Sequence, residues 1–146
     1  MEQNNYIHIK NHPLADIHYF KDQKILISIL RKDAPINYED TLSSYKITHE
    51  ITEGEDIVVL FDTRNLSFEN VPKEVLNCMA KNEYNINQKQ FAIIYEGIGQ
   101  KLMGGLFTTL YKPYSKTKLF SNVKEAFEWL GISNPQPIIE KAGITL

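Results

Sequence analysis

Residues 57–76 read IVVLFDTRNLSFENVPKEVL, and this stretch decides the fold. An apolar run at 57–61 leads directly into Asp62, Arg64 and Asn65, and a helical pattern begins near residue 71. A continuous apolar run is typical of a strand that is covered on both faces. The stretch therefore predicts a central parallel strand followed by a helix. It also raises the question of whether the polar turn binds a ligand or only shapes the loop.

The rest of the chain continues this alternation of strands and helices. Further strands are predicted at 15–23, 24–30, 90–95 and 118–120, and helices at 38–52, 71–84, 98–111 and 123–130. Such alternation is typical of an α/β fold with right-handed crossovers. We expect one mostly parallel central sheet of about five strands, with an N-terminal β-hairpin and about four helices. The predicted divisions are an N-terminal arm or loose first strand (1–13), a single domain (14–131) and a C-terminal extension (132–146).

Composition excludes several classes of protein. The chain has 146 residues, 16 basic and 18 acidic, with a formal net charge of -2 and no concentrated basic stretch, so we expect no nucleic-acid partner. Its single cysteine, Cys78, rules out an intrachain disulfide. The longest apolar run, 57–61, is far shorter than the ~20 residues of a membrane helix. With no signal-peptide pattern at the start, we expect a soluble, cytoplasmic protein without membrane insertion.

Two predicted helices carry informative spacings. In the first, Asn37 is the expected N-cap, and Tyr38, Leu42, Tyr45 and His49 follow at helical spacing. The third contains large apolar residues every fourth position, together with a glycine pair that costs roughly 1 kcal/mol per glycine relative to alanine. The apolar residues are Ile98, Leu102, Leu106 and Leu110, and the pair is Gly104-Gly105. We interpret the glycines as a sign of close approach to another backbone.

Residues 16–131 resemble the sulfate-transporter and anti-sigma-factor-antagonist (STAS) family. More narrowly, they resemble small bacterial STAS/SEC14-like proteins of unassigned function. Three segments carry the resemblance: the strand that ends at Asp62, the segment QFAIIYEG (90–97) before a long helix, and KPYSKTKLFSNVKEAFEWLG (112–131). The resemblance implies a STAS-like domain.

The chain departs from the family at the phosphorylation switch. Switch members carry an Asp-Ser-Ser-Gly-like run at the start of the helix, and a partner kinase phosphorylates a serine there. The corresponding run here is ENVP, with Asn70, Val71 and Pro72 in the Asp and Ser positions. Valine has no hydroxyl group, and Ser67 lies four residues too early. We therefore expect that the usual phosphorylatable serine is lacking.

The turn after the first buried strand is the candidate binding site. In open α/β sheets, ligands bind outside the carboxyl ends of the strands, and a helix start offers free backbone N–H groups. The candidate residues are Asp62, Arg64, Asn65, Ser67 and Asn70. We expect Asp62 to shape the turn by accepting backbone hydrogen bonds. We expect Arg64 to be exposed and available for a carboxylate or phosphate.

Metal, cofactor and catalytic sites are not predicted. His8 and His12 are four residues apart, but Pro13 disfavours the helix that would bring them together. His18 follows Asp16, yet a metal site needs three or four converging ligands. No serine lies in a nucleophile elbow, and Gly97-Ile98-Gly99 lacks the remainder of a phosphate-binding motif. We expect no metal, no cofactor and no catalytic residue.

The leading hypothesis is a non-enzymatic STAS-like regulatory or interaction module that binds a protein partner, a second copy of the chain included. The alternative, implied by the SEC14-like side of the resemblance, is a carrier or sensor of a small apolar ligand. Met103, Leu106 and Phe107 in the third helix support it, although a core-packed helix explains the same residues. An enclosed apolar volume of ~300 Å³ or more favours the carrier, and a filled core favours association.

Overall fold

A computed structural model describes residues 5–66 and 71–146. Its centre is one six-stranded sheet in the spatial order β1-β2-β3-β4-β5-β6, which is also the order along the chain. The strands are β1 (Tyr6–Ile9), β2 (Ala15–Phe20), β3 (Ile25–Leu30), β4 (Ile57–Asp62), β5 (Gln88–Ile94) and β6 (Lys116–Phe120). The predicted α/β class and the N-terminal hairpin are confirmed, with six strands in place of about five.

The first three strands form an antiparallel meander. Residues 6–9, within the predicted arm, form β1 and pair with β2, so that Tyr6 lies opposite Phe20 and His8 opposite His18. β2 in turn pairs with β3 across the Lys21–Lys24 turn, where Lys24 has a positive φ of 55°.

The remaining strand pairs are all parallel. β3 pairs with β4, β4 with β5, and β5 with β6. β4 and β5 are interior strands because each pairs with a strand on both sides, and helices cover both of their faces, as the apolar runs predicted. Ile57, Leu60, Ala92 and Ile94 are at most 1% exposed.

Within residues 5–66 and 71–146, five helices cover the two faces of the sheet. One face carries α1 (Tyr38–Thr52), α2 (Lys73–Ala80) and α3 (Gly97–Leu106), and α3 continues directly into a π-helical segment, Phe107–Tyr111. The other face carries α4 (Val123–Trp129) and α5 (Gln136–Ala142). The part of the chain that the structure describes contains no helix long and apolar enough to cross a membrane.

α1 begins where its cap predicts but buries a different face. The Asn37 side chain accepts a hydrogen bond from the Asp40 backbone N–H at 2.8 Å. The buried residues are Thr41, Thr48 and Thr52, and of the predicted apolar series only Tyr45 packs against the apolar cluster. Each threonine hydroxyl donates to the carbonyl four residues earlier. These bonds satisfy the hydroxyl groups, so a threonine face can be buried.

The glycine pair in α3 also has a different cause from the one expected. A Cβ atom on Gly104 would lie 2.7 Å from Leu119 Cδ2, so the close approach is to a side chain of β6 and not to another backbone. A Cβ on Gly105 would meet nothing within 4 Å. Of the two glycines, only Gly104 is therefore in close contact with a neighbouring element.

The C-terminal extension belongs to the core. Asn122 caps α4 by accepting from the Glu125 backbone N–H at 3.0 Å. Residues 132–146 then return across the sheet and form α5. Ile138, Ile139 and Ile144 are all buried in the same apolar cluster as Phe127.

Candidate functional site

The polar turn after β4 is built around the buried carboxylate of Asp62. Its Oδ1 accepts a hydrogen bond from the Arg64 backbone N–H at 3.1 Å, which closes the turn. Asp62 is 6% exposed. The expectation that Asp62 shapes the turn is confirmed, and a side chain that bonds to the backbone two residues later is a common function of aspartate.

Arg64 is not the exposed side chain that the sequence suggested. Its Nε and Nη2 donate to the two carboxylate oxygens of Asp62 at 2.9 and 2.8 Å, and Nη2 also donates to the Thr145 carbonyl at 2.6 Å. Only 18% of its side chain is exposed. The hydrogen bond to Asp62 raises the pKa of Arg64. The planar guanidinium matches both carboxylate oxygens at once, so the arginine is held within the fold.

Other polar groups tie the same turn to its neighbours. Asn65 Nδ2 donates to the Leu30 carbonyl at the end of β3, at 2.9 Å. The Thr63 hydroxyl donates to the Ile94 carbonyl at the end of β5, at 2.7 Å. From α3, the Gln100 amide donates to the Arg64 and Leu66 carbonyls. The structure thus joins Asp62, Arg64 and Asn65 in one network whose side chains hold the loop between two strands and a helix.

Two candidate residues, Ser67 and Asn70, lie outside the described residues. A cleft of about 330 Å³ opens at this edge and is lined by Arg64, Ser121, Asn122, Val123, Lys124 and Leu146. The Arg64 guanidinium already pairs with Asp62. Lys124 is the other cation that lines the cleft. A binding role for the turn stays a prediction.

An apolar cavity lies on the opposite side of the turn, between the sheet and the helices α1, α2 and α3. Its volume is about 130 Å³, and its lining includes Leu26, Val59, Phe91, Met103 and Phe107. Four hydroxyl-bearing residues of α1 also line it: Thr41, Ser44, Tyr45 and Thr48. The hydroxyl groups of Thr41, Ser44 and Thr48 each donate to the carbonyl of a residue three or four positions earlier, so these three donors are already paired.

The outer side of α3 carries an exposed apolar surface. Ile98, Leu102, Leu106 and Leu110, here called the α3 stripe, are 77%, 69%, 43% and 65% exposed. No residue of α3 itself is buried, and the first buried residue beyond it is Phe107. The spacing of four residues therefore indicates a helix, as predicted, but the apolar side chains at this spacing face solvent and not the core.

Strands β1 and β2 bring together His8, Asp16 and His18, here called the hairpin cluster, which the sequence analysis considered but did not predict. His8 Nε2 lies 2.6 Å from Asp16 Oδ1, and His18 Nε2 lies 3.2 Å from Asp16 Oδ2. The two imidazole rings stack with their centroids 4.2 Å apart. The available signal was Asp16-x-His18 on one face of a strand. It needed the register of β1, which places His8 opposite His18.

The environment of this hairpin cluster perturbs its protonation. Burial lowers the pKa of His18, and this effect exceeds the opposing attraction of Asp16. For Asp16 itself, burial raises the pKa, but the hydrogen bond from His8 and the charges of both histidines outweigh it and lower the pKa. Burial together with the charge of Asp16 raises the pKa of Tyr6. The cluster therefore favours an ionised carboxylate beside a neutral His18.

One mixed sheet with helices on both faces matches a SpoIIAA-like (STAS) fold, as the resemblance implied. A crystal structure of an uncharacterised DUF3478-family protein with a SpoIIAA-like fold from Shewanella loihica PV-4 is similar to this chain, with a TM-score of 0.58. The match covers 89% of this chain and 98% of that one at 18% identity, so the likeness concerns the fold alone.

The chain belongs to the family described as a domain of unknown function, DUF7793, whose profile matches residues 19–132. No curated protein matches the chain.

Proposed function

We propose that the protein is a non-enzymatic STAS-like module that acts by binding a protein partner through the α3 stripe. The main support for this proposal is the exposure of four large apolar side chains on one side of a helix. Single exposed apolar residues are ordinary, but contiguous apolar patches mark interaction surfaces. Fully burying a side chain of this kind contributes about 1.5–3 kcal/mol, so covering the stripe contributes favourably to the free energy of binding a partner.

The chemistry of the helix indicates the kind of partner. Between 97 and 112 the only charged residues are Lys101 and Lys112, and both are exposed. Apolar residues four apart form a ridge that packs into the grooves of another helix. We infer a partner helix with an apolar face and acidic residues beside it, because the acids would complement the two lysines.

The polar turn supports the non-enzymatic part of this proposal. The side chains of Asp62, Thr63, Arg64 and Asn65 all hydrogen-bond within the protein, which leaves the turn organised for structure. α3 is attached to this turn through Gln100. The proposed surface therefore lies on the helix adjacent to the edge where the sequence placed a binding site.

Site-specific photo-crosslinking tests the surface. A photoreactive residue placed at Leu102 or Leu110 in the native cell should give a protein adduct, whereas one at the exposed Glu128 of α4, on the other face of the sheet, should not. Adding Leu106→Glu should remove the adduct at residue 110. An adduct of twice the chain's mass identifies a second copy as the partner. Equal adducts at all three positions, or none at the stripe, would refute the proposal.

We further propose that a serine kinase does not switch this association at the start of α2. Val71 and Pro72 occupy the positions that the family resemblance assigns to the switch serines, and neither has a hydroxyl group. Incubation with a STAS-type serine kinase and ATP should leave the intact mass unchanged. A stoichiometric phosphate on Ser67 would contradict this.

A second candidate function rests on the apolar cavity. Its volume of about 130 Å³ is below the ~300 Å³ typical of ligand pockets, yet an apolar cavity of roughly 150 Å³ holds benzene. A ligand here would be small and apolar. Benzene should raise the melting temperature of the wild type. Ser44→Leu, which places a larger side chain in the cavity, should abolish that rise. No shift in the wild type would exclude this candidate.

A further inference from the structure

The hairpin cluster has the donor set of a metal site. His8 and His18 offer imidazole nitrogens and Asp16 a carboxylate oxygen, and the three ligand atoms all lie within 4.8 Å of one another. Ligands held tetrahedrally at about 2.0–2.1 Å from a zinc ion are about 3.3 Å apart. His18 Nε2 lies 3.2 Å from Oδ2 of Asp16 and His8 Nε2 lies 2.6 Å from Oδ1, so each histidine contacts a different carboxylate oxygen and the His8 contact must widen slightly to admit an ion. We propose that His8, Asp16 and His18 bind a divalent transition-metal ion of the zinc class.

The surroundings leave room for an ion and a solvent ligand. The side chains of His8 and Asp16 are 26% and 31% exposed, whereas that of His18 is 2% exposed. One ligand is thus fixed within the sheet, and two lie at the surface where an ion can enter. With three protein ligands, water takes the fourth position, as in open zinc sites. The terminal torsion of histidine is broad, so the stacked rings can open toward a shared ion.

Tyr6 supplies the second contact that a metal-binding histidine needs. Its hydroxyl lies 2.8 Å from Nδ1 of His18, the nitrogen that does not face Asp16. A hydroxyl can donate or accept. When Nε2 of His18 binds an ion, its proton resides on Nδ1 and is donated to Tyr6. Such partners fix the ring orientation, and their loss typically costs 10–100-fold in metal affinity.

Two cations lie near the cluster and oppose a bound ion. Arg31 Nη2 is 3.9 Å from Asp16 Oδ1, and Lys141 Nζ lies 5.1 Å from the centre of the Tyr6 ring. Arg31 is turned toward the backbone, where it donates to the carbonyls of His12 and Lys10. Removing the charge of Arg31 should therefore strengthen metal binding, so the test includes one variant in which the affinity rises and not only variants in which it falls.

The site is separate from the α3 stripe and from the cavity. Along β2, Ala15, Ile17 and Tyr19 pack toward α1–α3, and the alternate residues point to the other face. There Phe20 and its neighbour Tyr6 join the α4–α5 cluster. Metal binding and partner binding can thus fail independently of each other.

Titration of the untagged protein with Zn²⁺ by calorimetry, and with Co²⁺ by visible absorption, tests the site. We expect one ion per chain and Co²⁺ bands typical of nitrogen and oxygen ligands. His8→Gln and Asp16→Asn should each weaken binding at least about 10-fold, as should Tyr6→Phe. Arg31→Gln should strengthen it. His49→Gln, a histidine change on α1 away from the cluster, is the matched control and should change nothing.

His8 and Asp16 are the test positions because both are partly exposed, whereas a change at the buried His18 endangers folding. Circular dichroism should show wild-type spectra for both variants. The proposal is overturned if no saturable binding of either ion is found. It is equally overturned if His8→Gln and Asp16→Asn bind as tightly as His49→Gln.

Discussion

The side chain of Arg64 ties two parts of the fold together and is not the exposed binding group that the sequence suggested. It bridges the carboxylate of Asp62 and the carbonyl of Thr145, and so joins the end of β4 to the C-terminal segment. A sequence places an arginine in a turn but does not show what lies within reach of its long side chain. The partner is 81 residues away along the chain, which no local pattern indicates.

Arg64→Ala should therefore destabilise the protein. Hydrogen bonds to charged groups contribute about 1.5–3 kcal/mol, and the substitution leaves the buried Asp62 unpaired. Urea unfolding should show a clear drop in the midpoint, and Arg64→Lys should recover only part of it because an ammonium cannot form the fork. Lys89→Ala removes an exposed ion pair and should shift stability by less than about 0.5 kcal/mol. Equal midpoints for Arg64→Ala and Lys89→Ala would show that the contacts of Arg64 do not contribute to the free energy of unfolding.

His12 should make stability depend on pH. Its Nδ1 accepts from the Leu14 backbone N–H at 3.1 Å, and its Nε2 lies 2.8 Å from the Ser43 hydroxyl. Burial lowers the pKa of His12 from 6.5, and this outweighs the attraction of Asp40. Protonation leaves the ring without an acceptor. The stabilisation is thus complete above the unfolded value of 6.5 and is lost as the pH falls through the lower folded value.

Urea unfolding at about pH 7.5 and about pH 5 checks this sign. The wild type should lose more stability between the two conditions than His12→Gln, whose side chain does not titrate there. Comparison with the variant removes the contribution of the other histidines. An identical loss in both proteins would mean that His12 does not carry the effect.

At the scale of the elements, local signals predicted location better than orientation. Asn37 and a helical pattern located α1, and apolar runs located β4 and β5, because capping and burial act over a few residues. The direction of the α3 stripe could not be predicted, since periodicity shows which residues share a face but not what covers it. The hairpin cluster was not predicted because it depends on the pairing of β1 with β2. The helix α5 was not predicted because it is short and lies in a segment with two prolines, 132–146.

The two glycines of α3 offer a matched comparison. Gly105→Ala should raise the free energy of unfolding by roughly 0.5–1 kcal/mol, because alanine restricts the unfolded chain and meets nothing nearby. Gly104→Ala should lack this gain because its Cβ meets Leu119, and overpacking typically costs about 1–3 kcal/mol. Thermal or urea unfolding of both variants checks the order. Equal stabilities would show that Leu119 simply moves aside.

At the scale of the whole molecule, α5 and the residues after it complete one face of the sheet. Ile138, Ile139 and Ile144 are each buried, and burial of such a side chain contributes about 1.5–3 kcal/mol. Together they match much of the 5–15 kcal/mol by which a domain is typically stable. The segment is thus part of the folding unit and not an appendage to it.

A chain that ends at Gly131 should consequently lose cooperative thermal unfolding, as followed by circular dichroism. Deleting only Leu146, which is 61% exposed, should leave the transition close to that of the wild type, because the Thr145 carbonyl remains for Arg64. A sharp transition in the chain that ends at Gly131 would mean that residues 14–131 fold on their own.

The order of the sheet has a consequence for how the protein can be made. Because the strands lie side by side in the order of the chain, no strand has to insert between two that are already paired. As the polypeptide leaves the ribosome, each new strand can dock on the edge left by the previous one, starting from the β1–β2–β3 meander. Growth from one end limits the exposure of unpaired edges, a hazard of slow parallel sheets. The hydrogen bond from Arg64 to the Thr145 carbonyl joins residues 81 positions apart, so it can form only after residue 145 has emerged.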